Sequence, residues 1–153
     1  LAYLNEDSVI LIQTDTTVGF LSKNPQLIAE RKNRTPHKKI LKVLPSFQDL
    51  KKNTRIPKKF RRFVRYAKKT TFIYPNLLSF RVVKNNEHNI FLMKYGNFFS
   101  SSANLSGDKF DKNIAKKLAD VICENSKGFI EQESSKIIIL SKNKMINIRG
   151  VTR

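Results

Sequence analysis

At 153 residues, with 40% hydrophobic side chains and 11 Phe, the chain is long enough to close one core and too apolar to stay disordered. Its longest aliphatic runs, Val9–Ile12 and Ile137–Leu140, stop far short of the roughly 20 residues that cross a bilayer, and Asn5, Glu6 and Asp7 break the start of the chain before a signal-peptide core could form. The formal net charge is +18, and the single cysteine, Cys123, lies in an apolar context that reads as core and cannot form an internal disulfide. A reducing, cytoplasmic location with no membrane contact is the expectation.

In chain order, apolar runs predict strands at 8–13 and 17–22, joined by Gln13-Thr14-Asp15-Thr16-Thr17. A helical pattern over 25–33 opens at Pro25, carries Leu27 and Ile28, and runs into Lys32-Asn33-Arg34 with Lys38 beyond; cations at a helix C-terminus suit the dipole there. A strand at 39–44 precedes a helix at 57–69, whose Phe60, Phe63, Val64 and Ala67 face the core and whose Arg61, Arg62 and Arg65 face solvent. Strands follow at 71–75 and 78–83, then a helix at 87–95. The apolar run Tyr95–Phe99, with Gly96 inside it, reads as a buried strand, with strand signals over 97–101. A helix at 111–119 starts after Asp111, a good N-cap, and the chain closes with strands at 136–140 and 145–149. Strands both adjacent and separated by helices give an α/β (α+β) class, read as a single domain over 1–153 with a mixed twisted sheet and flanking helices. His37 and His88 share no metal-ligand spacing, and each reads as an exposed polar residue.

The charge is uneven. Residues 31–69 hold 16 of the 30 Lys and Arg against one acid, Asp49, a density that attracts polyanions at long range. Arg61, Arg62 and Arg65 are the candidate RNA-binding residues, for tRNA or double-stranded RNA. A composition-wide drift towards Lys, or a merely solvated helix face, would give the same local count.

Residues 100–107 read Ser-Ser-Ser-Ala-Asn-Leu-Ser-Gly, where a strand leaves the sheet. Hydroxyls and backbone N–H groups gathered in this way form a neutral donor nest for anion oxygens, to which nearby Lys or Arg adds charge. Three segments therefore stand in fixed order: strand then Thr14-Asp15-Thr16, helix then Lys32-x-Arg34, strand then Ser100-x-Ser102-Ala103-Asn104. That order resembles the YrdC-like threonylcarbamoyl-AMP synthase family, whose motifs read approximately P-T-[DE]-T-x-[YF]-G, K-x-R-P-x-x-K and S-T-S-A-N-x-S-G. The resemblance runs from about Leu4 to Gly150 and includes Thr71-Phe72, Phe80-Arg81-Val82 and Ile148-Arg149-Gly150. This chain departs from the pattern in several places. Gln13 stands for the proline before the first motif, Val18 for the aromatic and Thr35 for the proline after Lys-x-Arg; Ala67-Lys68-Lys69 replaces a Pro-Gly-Pro, Ser135-Lys136 replaces a Ser-Thr, and the loop around Asn76, Leu77 and Leu78 is short.

The resemblance implies a curved mixed sheet with helices outside it, and a nucleotidyltransferase that makes threonylcarbamoyl-adenylate from L-threonine, bicarbonate and ATP for tRNA modification. The alternative it leaves is a catalytically weak relative that binds tRNA or double-stranded RNA. By matched position, Lys32 and Arg34 are the catalytic cations, and Lys38, Ser100, Ser102, Asn104 and Arg149 hold ATP. Thr14 and Ser135 line the threonine pocket. Magnesium would arrive with ATP as a substrate complex, with no protein metal site and no tightly bound cofactor, and partner proteins of the tRNA-modification pathway are possible.

Overall fold

The computed structural model describes residues 4–35, 38–84 and 86–150. Among them are nine strands and five α-helices, an α/β arrangement with both parallel and antiparallel pairing. They fall into two compact units, one built from the stretch ending at Ile40 with Phe98–Ser134, the other from Leu41–Asn97 with the stretch beginning at Ser135.

In the first unit, β1 (Ile10–Gln13) and β2 (Val18–Ser22) form an antiparallel hairpin, with Gln13 opposite Val18. β6 (Phe98–Ser102) runs antiparallel to β2, placing Ser101 opposite Phe20 and Ser102 opposite Gly19. The short β7 (Val121–Cys123) lies parallel to the far side of β1. The helix α1 (Pro25–Arg31) starts where the Asn24 side chain accepts from the Gln26 N–H and where proline, which lacks a donor, occupies the first turn. It buries Ile28 against Val9, Leu11, Val18, Phe20 and Ala103, and α5 (Lys112–Leu118), capped by Asp111, adds Ala115 to that core.

In the second unit the strand order is β3 (Leu41–Leu44), β5 (Ser79–Val82), β4 (Thr70–Ile73), β8 (Lys136–Leu140), β9 (Met145–Arg149). β3 is parallel to β5 and β4 to β8, while β4–β5 and β8–β9 are antiparallel. Phe72, Tyr74 and Phe80 pack at ring-centroid separations of 6.3 and 6.0 Å, tilted as ring quadrupoles prefer, and Leu44, Leu50, Ile56, Val64, Ile138 and Leu140 close the core around them. The Asn86 side chain caps α4 (Glu87–Tyr95), and Asn89 ties that helix down by donating to the Pro45 and Val83 carbonyls.

Several sequence expectations need correction. The helix expected over 57–69 is a 3-10 turn at Lys58–Phe60 followed by α3 (Arg61–Tyr66), and Ala67 is already extended. Lys58, Lys59, Arg61 and Arg62 crowd its N-terminal end, the wrong charge for the dipole, and no side chain caps it. Phe60 and Val64 are buried as expected, but Phe63 is 43% exposed, its ring in a T-shaped contact with Phe72. A further helix, α2 (Phe47–Asn53), fills the stretch left blank; Ser46 accepts from the Asp49 N–H and donates to the Asp49 carboxylate. Tyr95 ends α4 and does not begin a strand, because Gly96 at φ 91° is the helix stop. His88 is buried, on the α4 face that also buries Phe91 and Leu92; His37 lies outside the described residues. Cys123 is half-buried on β7, and burial pushes its thiol pKa up.

Candidate anion-binding site

The end of α1 sets the geometry of Lys32 and Arg34. Asn33 adopts a left-handed conformation at φ 53°, its N–H donates to the Glu30 carbonyl, and the Arg34 N–H reaches back to the Ala29 carbonyl. This pair of bonds is the Schellman stop, and Asn is the commonest residue after Gly to tolerate its left-handed position. The middle residue of Lys-x-Arg is thus the turn, and the two cations flank it. The Lys32 carbonyl accepts from the Ser106 N–H at 3.0 Å, which fastens the loop after β6 to the helix end.

Both cations converge on one serine. Lys32 Nζ donates to Ser101 Oγ at 2.7 Å and to the Ser102 carbonyl at 2.6 Å, with Ser102 Oγ at 3.4 Å; Arg34 Nη1 donates to the same Ser101 Oγ at 3.3 Å, while Nη2 holds the Lys39 carbonyl at 2.9 Å. Among the described residues neither cation meets a carboxylate. Burial, and secondarily the Arg34 charge, pulls the Lys32 pKa down to about 8, and burial also lowers Arg34. A buried ammonium and a guanidinium sharing a neutral hydroxyl, with no carboxylate partner among the described residues, make this cluster a candidate anion site.

The β1–β2 turn packs against the same strand. Thr14, Asp15 and Thr16 are all buried, Thr14 Oγ1 donates to the Thr17 carbonyl, and it accepts from the Thr16 N–H at 3.2 Å. Gly19 is required by this approach: a Cβ there would lie 2.8 Å from Thr14 Cγ2 and 3.1 Å from the Ser101 carbonyl, with Ser100 Oγ at 3.7 Å. Gln13, in place of a proline, accepts the Ile130 N–H on its side-chain oxygen, which fixes the strand leading to the turn.

The structure does not gather every expected residue into this cluster. Asn104 spends its amide on its own loop, donating to the Leu105 and Asp108 carbonyls. Lys38 is exposed and outside the hydrogen-bonded set. Ser135 and Arg149 belong to the second unit, where they meet: Arg149 Nε donates to the Ser135 carbonyl at 2.8 Å and Nη2 to Ser135 Oγ at 3.1 Å. A register irregularity brings Arg149, not Ile148, opposite Ile137. Thr71 Oγ1 lies 2.9 Å from Ser135 Oγ, and buried Arg81 acts on the same patch, since burial and then the Arg81 charge lower the Arg149 pKa. Ser101, Gly19, Thr71 and Arg81 were not among the expected site residues; alternation along β4 and β5 could have signalled the last two. Arg61, Arg62 and Arg65 are exposed and line a concavity of about 900 Å³ with α2.

The α/β fold is YrdC-like, and it gathers Lys32, Arg34 and the serines of β6 into one cluster. Solved structures of similar fold are Sua5 from P. abyssi (TM-score 0.75, 15% identity, 94% of this chain and 52% of that one), YciO from E. coli (0.75, 18%, 93% and 82%) and MTH1692 from Methanobacterium thermoautotrophicum (0.68, 17%, 95% and 81%). Another Sua5 structure with this fold is a complex with L-threonine (0.74, 16%). The chain spans about half the length of Sua5. No protein-family model matches the chain, and no curated protein matches it. At these identities the likeness establishes the fold. No helix among the described residues is long and apolar enough to cross a membrane.

Proposed function

We propose that the chain is a threonylcarbamoyl-AMP synthase, joining L-threonine, bicarbonate and ATP for N6-threonylcarbamoyladenosine formation in tRNA. The observation that carries this reading is the carboxylate-free pair Lys32 and Arg34 on Ser101, seated between the two motifs that resemble those of the synthases. The Sua5 complex with L-threonine supports the amino-acid substrate.

In the proposed reaction the threonine amine and bicarbonate condense to N-carboxythreonine, the new N–C bond replacing a C–O bond of bicarbonate whose oxygen leaves as water. Its carboxylate oxygen then attacks the α-phosphorus of ATP; the new O–P bond forms as the bond to the bridging oxygen breaks, and pyrophosphate leaves with the magnesium that ATP brings. No side-chain nucleophile is needed, so the chain's work is positioning and charge stabilisation. Lys32 supplies a point charge and Arg34 a planar fork able to hold two oxygens at once. Ser100 and Ser102 offer hydroxyls to the phosphates, with Lys38 and Arg149 as further cations. Thr14 and Ser135 are assigned to threonine. Asn104, held in its loop, contributes by shaping that loop.

Pyrophosphate release is the test. It should require ATP, magnesium, threonine and bicarbonate together, and serine should substitute poorly. Arg34→Ala should weaken ATP binding by about 1.5 to 3 kcal/mol, the range for a charge-assisted hydrogen bond, and Arg34→Lys should not restore it. Binding of both ATP and threonine without pyrophosphate release would overturn the enzymatic reading.

A further inference from the structure

In the second unit the sheet ends on β9, and β8 is the one strand beside it among the described residues. All five residues of β9 are exposed, and three of them are apolar: Met145 at 42%, Ile146 at 53% and Ile148 at 52%. The outer side of an edge strand presents main-chain N–H and C=O groups, a template on which a further strand can pair. Sheets usually blunt such an edge with charge, whereas the middle of this one is apolar.

The apolar side chains are ordered by the pairing. Ile138 and Leu140 of β8 are buried in the core, so Ile139 lies on the opposite face. Ile146 pairs directly with Ile139 and shares that face, and alternation returns Ile148 to it. Ile148 is also the extra residue where the register shifts, so regular pairing ends there and the usable edge is Met145 to Ile148. An aliphatic stripe of Ile139, Ile146 and Ile148 thus reaches the rim of the sheet.

Charge decides what suits that rim. Residues 135–150 hold Lys136, Lys142, Lys144 and Arg149 and no acid. Lys142 and Lys144 lie in the turn that the Ser141 N–H closes on the Lys144 carbonyl, immediately before β9. Lys136 packs against the far end, where a Cβ on Gly150 would come within 2.7 Å of Lys136 Cγ. Two copies pairing antiparallel through β9 would set the Lys144 end of each chain against the Arg149 end of the other, a like-charge contact that opposes self-association. The same cations attract carboxylates.

We propose that the β9 edge is a docking site for an extended acidic segment of a partner protein, added to the sheet as one more strand. Main-chain bonds along Met145 to Ile148 supply the pairing, alternate apolar residues of the partner cover Ile146 and Ile148, and its carboxylates meet Lys142 and Lys144. The inference does not rest on the synthase reading: Arg149 turns its guanidinium to Ser135, and Ile146, Lys142 and Lys144 lie outside both clusters described above.

The test is fluorescence anisotropy of the full chain at physiological salt with a labelled peptide of about eight residues, alternating Val and Thr in its middle and carrying paired Glu at both ends. Two companion probes are the same peptide N-methylated at every middle amide, which keeps its charge and loses its ladder donors, and the same peptide with Lys in place of Glu. Both should bind about tenfold or more weakly than the parent. Ile146→Lys should weaken the parent peptide by about tenfold, as loss of a buried aliphatic contact would, and Lys142→Glu/Lys144→Glu by about fivefold. Ile90→Lys on α4 and Lys51→Glu/Lys52→Glu on α2 make the same changes at other exposed positions and should stay within about twofold of wild type. Deuterium uptake over 145–148 should slow when the peptide binds. Equal binding of the N-methylated peptide, equal losses in the control variants, or no binding of the parent at about 1 mM would each overturn the proposal. So would a dimer in sedimentation that Ile146→Lys dissolves, since that assigns the edge to a second copy. Circular dichroism checks that each variant is folded, and Ile146→Thr, which keeps strand propensity, replaces Ile146→Lys if it is not.

Discussion

Raising the pH should loosen polyphosphate binding through a single residue, Lys32. Without a carboxylate beside it, its ammonium is held at a pKa of about 8, well below the ordinary 10.5, by burial and by Arg34. A bound triphosphate or pyrophosphate supplies the missing negative charge and draws that pKa back up. Full restoration corresponds to about 3 kcal/mol of coupling between proton and ligand. Below pH 8 the lysine is already charged and affinity is flat. Above it, each pH unit should weaken binding by up to about tenfold until the pKa of the occupied site is passed. At pH 8, where the terminal phosphate of ATP is already deprotonated, binding should take up about half a proton. Calorimetry of magnesium-ATP in two buffers of unlike ionisation enthalpy measures that uptake directly, and Lys32→Met should abolish it. The ligand-free protein should behave in the opposite sense: its unfolded chain binds the extra proton between pH 8 and 10.5, so this residue's contribution to stability rises with pH across that window. No proton uptake at pH 8, or uptake that survives Lys32→Met, would refute the reasoning.

Other substitutions probe the frame. Gly19→Ala puts a Cβ against the Ser101 backbone and the Thr14 methyl, and should destabilise by about 1 to 3 kcal/mol in urea melts while weakening pyrophosphate binding; an unchanged melt would mean the hairpin relaxes freely. Ser46→Ala removes the cap of α2 and should lose about 1 kcal/mol by the same measurement. Tyr74→Phe deletes a buried hydroxyl that has no hydrogen-bond partner among the described residues, so stability in urea melts should be unchanged or raised by up to about 1 kcal/mol; a clear loss would reveal a partner for that oxygen.

The site was legible where its chemistry is local. Lys32-Asn33-Arg34 and the serines of 100–102 each announce themselves within a few residues, and the structure joins them through Ser101. Gly19 was invisible as a requirement, because the atoms that crowd it come from a turn and from another strand. The seven-residue α2 was missed since its signal is one Ser-x-x-Asp cap ahead of a stretch with no sustained apolar period, and β7 is a three-residue strand that exists through pairing with β1. α3 was drawn too long because Phe60, Phe63 and Val64 keep helical spacing, a pattern that does not register like charges at a helix start. His88 is buried by the direction in which α4 is anchored, through Asn86 and Asn89, and that direction is tertiary information.

The stop that ends α1 carries a consequence for motion. A helix normally frays first at its last turn, yet here the residues that close that turn also carry the charges awaiting an anion. Whatever settles on Lys32 and Arg34 must therefore restrain the hinge at Asn33, and through the Lys32 carbonyl it restrains the Ser106 amide as well. Deuterium uptake at the amides of Asn33, Arg34 and Ser106 becomes a local gauge of occupancy, slowing as the site fills. On the proposed reading, ordering the last turn of the helix and recognising the ligand would be a single event, with part of the binding free energy going into holding that backbone closed.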